Sequence, residues 1–150
     1  MVVRLQRFVL ACAVLLVLAI AWNGLVHLVL LRDANAVVQH LHRPDLGARM
    51  WLSVLVTAGM VVLFVAGYGR FARRGSVGEA VGYGVFFSFL TGVLVDLNQY
   101  VLYPIPGWLA FLWFIGGLIE FIVYGLVVRK LYPMPSGEGE PVGGSTRRVA

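Results

Sequence analysis

The sequence predicts an all-α membrane protein: an antiparallel four-helix transmembrane bundle with both termini on the cytoplasmic side. Three observations lead there. Four apolar runs, residues 8–31, 50–68, 80–102 and 108–128, fill most of the 150 positions, and each is long enough to cross the ~30 Å of a bilayer's hydrocarbon core. The composition, 60% hydrophobic and 13% charged, is far from the soluble balance of about half apolar and a quarter charged. The basic residues then divide unevenly between the two sides. With both termini inside, the cytoplasmic side holds Arg4, Arg7, Arg70, Arg73, Arg74, Arg129, Lys130, Arg147 and Arg148, while the outside holds Arg32, Arg43 and Arg49. That asymmetry is the topogenic signal of membrane proteins.

The first run opens behind Arg4 and Arg7 and passes through Ala19-Ile20-Ala21, which imitates a signal-peptide cleavage site. It continues through Trp22-Asn23-Gly24 to Leu31, beyond the 7–15 residues of a signal core, and is read as a retained span. After it, Asp33 is placed to cap a short helix with Val37, Val38 and Leu41 on one side, ending before Pro44 and resting on the outer membrane surface. Gly69 to Gly78 forms a short basic cytoplasmic turn. Pro104 and Pro106 break the chain between the third and fourth spans, and Tyr103 and Trp108 flank them at the depth of an interfacial aromatic belt.

These spans form one transmembrane domain over residues 1–132. Residues 133–150, rich in Pro, Gly, Ser and charge, read as a disordered cytoplasmic tail. The expected setting is a multi-pass protein of a bacterial cytoplasmic membrane, with the lipid bilayer as its first partner.

Helix packing has a readable basis in the third span. Gly78 and Gly82 stand four apart, and Ala80, Gly84, Ser88 and Gly92 form a second row at the same spacing. Small residues in a row let two backbones approach closely, and close packing takes over where lipid removes the hydrophobic drive. The partner of such a row is another span of this chain, a second copy, or a different membrane protein.

Chemistry, if present, is expected at polar groups within the spans, because a charge at mid-span costs about 2.5–3.5 kcal/mol on insertion scales. Three ionisable residues qualify: His27, Asp96 and Glu120. At 1.5 Å per residue, His27 and Asp96 lie about 6 and about 9 Å below the outer boundary, with Glu120 at about 18 Å. Asn23 lies one turn from His27, and Ser53 and Thr57 repeat that spacing on the second span. The pattern predicts an intramembrane polar pocket made by Asn23, His27, Ser53, Thr57, Asp96, Gln99, Tyr100 and Glu120, floored near Glu120, with Tyr103 on its rim. Plainer readings stand beside it. Asn98, Gln99 and Tyr100 would mark the wet end of a helix, with Asp96 snorkelling to that interface and His27 and Asn23 forming one hydrogen-bonded pair, and Glu120 would be a structural acid bonded to Asn23.

Other chemistries have little in their favour. Cys12 is the single cysteine, which excludes intramolecular disulfides and paired-thiol redox chemistry. His40 and His42 lack a nearby acidic or thiolate cluster, so no metal site is expected, and only His27 within a span leaves no pair for haem. No catalytic motif or cofactor is expected. The net charge of +5 sits at helix ends rather than on a face interleaved with aromatics, which argues against a nucleic-acid partner. The leading functional expectation is a non-enzymatic binding or assembly protein, an accessory subunit or homo-oligomer that uses the small-residue row. The alternative is a minimal transporter or small-ligand-binding protein using Asp96 and Glu120.

Overall fold

A computed structural model describes residues 2–133. Within them α1 (Val2–Asn23) runs on without a break into a π-helical stretch, Gly24–Leu30. The short α2 (Arg32–Ala36) and two 3₁₀ turns, Gln39–Leu41 and Gly47–Arg49, lead to α3 (Met50–Phe71). Next, α4 (Val77–Gly92) continues through a second π-helical stretch, Val93–Leu97, into α5 (Asn98–Leu102), and α6 (Gly107–Leu131) completes the described chain. No strand occurs among the described residues.

Four helical segments are long and apolar enough to cross a membrane: Val3–Leu30, Gly47–Phe71, Val77–Leu102 and Gly107–Leu131. They overrun the apolar runs because backbone hydrogen bonding does not stop at the first charged side chain. Arg70, Arg129 and Lys130 all lie in last turns, where cations complement the helix dipole. The expected tail, residues 133–150, falls outside the described residues from 134 onward.

Local chemistry sets the ends. Ser76 caps α4, its side chain accepting the Glu79 N–H at 3.1 Å. The Glu79 carboxylate reaches back to the N–H groups of Arg73, Arg74 and Gly75 at 2.6, 2.9 and 2.8 Å. One side chain thereby fixes the turn, in which Gly75 takes the left-handed φ of 62° that favours glycine. Arg129 Nε adds a bond to the Gly75 carbonyl at 2.7 Å. Pro106 is the cap of α6, a position that needs no N–H of its own. Asp33 does not cap α2: the capping position is Leu31 and makes no side-chain bond, while Asp33 sits in the first turn. The flanking valines also part company, with Val38 buried and Val37 exposed.

The most extensive contact joins α4 to α6, and α1 packs on both α3 and α6. The α4–α6 register follows from the small-residue row. Ala80, Gly84, Ser88 and Gly92 are all buried. A Cβ added at Gly84 would meet the backbone carbonyl of Phe121, one at Gly125 would meet that of Ala80, and one at Gly92 would meet the Phe114 ring. Numbers rise on one helix as they fall on the other, so the pair is antiparallel. Gly78 and Gly82 take no part, since nothing outside their own helix lies within 4 Å of a Cβ built there.

The main core lies at the end of the helices nearest the Ala72–Ser76 turn. Phe64 is its centre, with the rings of Tyr83, Phe87, Phe121 and Tyr124 at 4.9, 5.0, 5.7 and 5.8 Å between centroids. Ala11, Leu15 and Ala19 of α1 and Val61, Val65 and Tyr68 of α3 complete it. At the opposite end a smaller cluster of Val38, Ile105 and Leu109 ties the α2 segment to the start of α6. Between the two clusters the helices do not close on each other.

Candidate functional site

The gap between the clusters is a cavity of about 600 Å³ walled by all four long helical segments. Its volume lies within the range of small-molecule sites, about 300–1,000 Å³. The first segment contributes Trp22, Asn23, Val26 and His27; the second, Thr57 and Met60; the third, Thr91, Asp96 and Gln99; the fourth, Trp113, Gly116, Gly117 and Glu120. The loop after the first segment adds Asn35, Val38 and His42.

Of the polar residues predicted to converge, Asn23, His27, Thr57, Asp96, Gln99 and Glu120 line this cavity, and Ser53, Tyr100 and Tyr103 do not. Ser53 is exposed, and its carbonyl accepts the Thr57 hydroxyl at 2.9 Å, one turn along. Tyr100 is also exposed and lies beside Gly107. For the tyrosines, which follow it on the same segment, the π-helical stretch supplies the reason. Across Val93–Leu97 the hydrogen bonds span five residues rather than four, which rotates later positions away from the face that a regular helix would give them. Asp96 and Gln99 stay on the cavity wall and the tyrosines turn outward.

Glu120 forms the floor. It is buried, and its Oε1 accepts the Asn23 amide at 3.0 Å and the Tyr124 hydroxyl. The plainer reading of Glu120 as an acid bonded to Asn23 therefore holds for one of its oxygens. Oε2 has no hydrogen-bond partner among the described residues. Asn23 also donates to the carbonyl of Ala19 at 2.9 Å, which fixes its amide plane.

A second network closes the loop end. Trp113 Nε1 donates to Asn35 Oδ1 at 2.9 Å, while Asn35 Nδ2 donates to the His27 carbonyl at 3.0 Å and faces His27 Nδ1 at 3.3 Å. Indole N–H can only donate, so it fixes the orientation of the Asn35 amide. The nitrogen of that amide carries hydrogens only, which makes His27 Nδ1 the acceptor and His27 neutral in this arrangement. Neither Asn35 nor Trp113 is among the residues that spacing predicts for the site. The signal in the sequence is Trp113 itself, an indole within an apolar span whose N–H needs a partner.

Asp96 is the exception among these groups. It is half-buried on the cavity wall, and no hydrogen bond to it is found among the described residues. Among the described residues, no Lys or Arg lines the cavity. Nor do three His, Cys, Asp or Glu side chains come together as potential metal ligands among the described residues. Trp22 Nε1 is occupied by the Gly116 carbonyl at 3.2 Å, so Trp22 and Trp113 have their rings alone left to offer. The arrangement can hold a compact molecule by apolar and aromatic contact and meet its polar groups with Asp96, Gln99, Thr57 and Glu120.

Compared with known protein families, curated proteins and solved structures, the chain matches none.

Proposed function

We propose that this chain is an integral membrane protein, an antiparallel four-helix bundle with its termini in the cytoplasm, which binds a small molecule in the cavity between its spans. Enzymatic turnover is not part of this reading. The observation that carries it is the convergence of Asn23, His27, Asp96 and Glu120 from three different spans on one cavity of ligand size. Unpartnered polar groups facing hydrocarbon are costly, and one chain gathers them into a shared space without a second subunit.

The row Ala80, Gly84, Ser88 and Gly92 is buried and packs against α6, so the alternative reading as an accessory subunit or homo-oligomer would use another surface, such as the open Gly78–Gly82 face. On the proposed topology the cavity mouth, next to Asn35 and His42, faces outside, and the aromatic core seals the cytoplasmic half. Uptake or sensing of an external solute fits that geometry better than a continuous conduit.

The test uses benzylamine, benzyl alcohol and benzoate, three probes of one size and different charge, on protein purified in mild detergent. Saturable binding of at least one, at one site per chain, supports the reading. Gly117→Trp should abolish it with the melting temperature unchanged, because a Cβ at Gly117 meets nothing within 4 Å and the indole would fill the cavity. No saturable binding of any probe would overturn it.

A further inference from the structure

We infer that the cavity takes an organic cation, a small protonated amine with an apolar body, and that Asp96 is its anchor. This rests on the cavity being a binding site and names the class of molecule that belongs there. Charge is the first consideration. The described cavity wall carries two carboxyl groups, Asp96 and Glu120, and no Lys or Arg. Its two imidazoles do not balance them: His27 Nδ1 accepts from Asn35, which requires the neutral ring, and His42 lies in the exposed loop at the mouth.

The two acids are not equivalent. Glu120 already has Asn23 and Tyr124 on one oxygen, an arrangement that serves the fold. Asp96 has no such partner, although it sits on the wall of a space roomy enough to bring one. A carboxylate withdrawn from water is costly unless paired and hydrogen-bonded, and an ammonium N–H is a donor that can meet both needs. Thr57 and Gln99, also on the wall, can serve the remaining ammonium hydrogens.

Size and surface specify the rest. About 600 Å³ is far more than a bare ion fills, and the described residues offer no cluster of ligands for a metal. Trp22, Trp113 and Phe121 line the same space. With both indole N–H groups engaged, their π faces remain, and a cation is attracted to such faces. An anion would meet two acids and no fixed positive charge. A neutral solute would fill the space but leave Asp96 unpaired.

The three probes distinguish these cases in titrations at pH 7, where benzylamine is protonated. Wild-type protein should bind benzylammonium at least about tenfold more tightly than benzyl alcohol, in keeping with one charge-assisted hydrogen bond, and benzoate most weakly. Asp96→Asn should erase the preference, weakening benzylammonium about tenfold while benzyl alcohol stays within about threefold. Equal binding of amine and alcohol in the wild type, tighter binding of benzoate, or an amine preference that survives Asp96→Asn would each overturn the inference while leaving the binding site in place. Binding of none of the three would remove the site itself and the inference with it. The wild-type ratio of amine to alcohol is decisive even if Asp96→Asn fails to fold.

Discussion

Asn23 Nδ2 lies 3.0 Å from Glu120 Oε1 and so joins the first and last long helices across 97 positions of sequence. Tyr124 donates to the same oxygen from one turn further along α6. The bond sits between the aromatic core and the cavity, where it marks the boundary between the closed half of the helix assembly and the open half.

That position makes Glu120 a test of hydrogen bonding against charge. Glu120→Gln keeps an acceptor for Asn23 and Tyr124 and should leave the thermal midpoint in detergent nearly unchanged. Glu120→Leu strands both donors and should cost about 1–3 kcal/mol. A Gln variant as unstable as the Leu variant would mean that the charge itself holds the helices.

The α4–α6 seam predicts a split among glycines of one helix. Gly84→Leu would drive a side chain into the Phe121 carbonyl, an atom of a packed backbone, and should destabilise by about 3 kcal/mol, the upper end of the usual overpacking cost. Gly82→Leu and Gly78→Leu project into open space and should fold normally. Expression and melting temperature measured across the three variants check this; similar losses in all three would place a contact on the Gly78–Gly82 face.

How far the sequence announces this arrangement depends on which force decides each feature. The four long helices are legible because each is an apolar run of bilayer-crossing length. His27, Asp96 and Glu120 stand out in the sequence because each is an ionisable group within such a run. Tyr100 is misplaced by spacing alone, since a π-helical stretch breaks the 3.6-residue count beyond Val93 and nothing in Val93-Leu94-Val95 advertises it. Asn35 is invisible for another reason. It lies in the short helix α2, in a connection whose path is set by Val38 packing on Ile105 and Leu109, a tertiary contact with no local signature. Likewise, the row from Ala80 to Gly92 shows that a helix packs closely there but not which helix.

Asn35 holds the loop over the cavity mouth through Trp113 and His27. Asn35→Leu should release it. The Trp113 indole N–H, followed by NMR with Trp113→Phe for assignment, should exchange with solvent markedly faster in that variant while the melting temperature falls by only a few degrees. Unchanged exchange would show that Val38 and its neighbours hold the loop without the amide.

At the start of the second long segment, Arg49, with Arg43 just before it, bonds the two oxygens of Asp45 at 2.6 and 3.1 Å. Arg49 first, then Arg43, holds its carboxyl below the ordinary carboxylate range. A depressed folded-state value means that this contribution to loop order is present above the ordinary Asp range and is lost as pH falls through the lowered one. Exposed pairs contribute little to stability, so the signature is spectroscopic. The Asp45 carboxyl resonance should titrate below that of a free Asp and move upward more in Arg49→Gln than in Arg43→Gln. Equal midpoints in all three proteins would mean that the pairs do not persist in solution.

If the space between the spans is a wet, polar site reached from outside, one cysteine tests it. Gly117 lines the cavity, and neither it nor Gly59, on α3 and not part of the wall, has anything within 4 Å of an added Cβ, so both accept cysteine without a clash. In a Cys12→Ser background, a membrane-impermeant cationic methanethiosulfonate added to intact cells should modify Gly117→Cys and leave Gly59→Cys untouched, because a lipid-facing thiol does not ionise. Benzylammonium should slow the reaction at Gly117→Cys. If Gly117→Cys proves as inert as Gly59→Cys, or reacts only when the reagent enters from the cytoplasmic side, the cavity is not an external binding site.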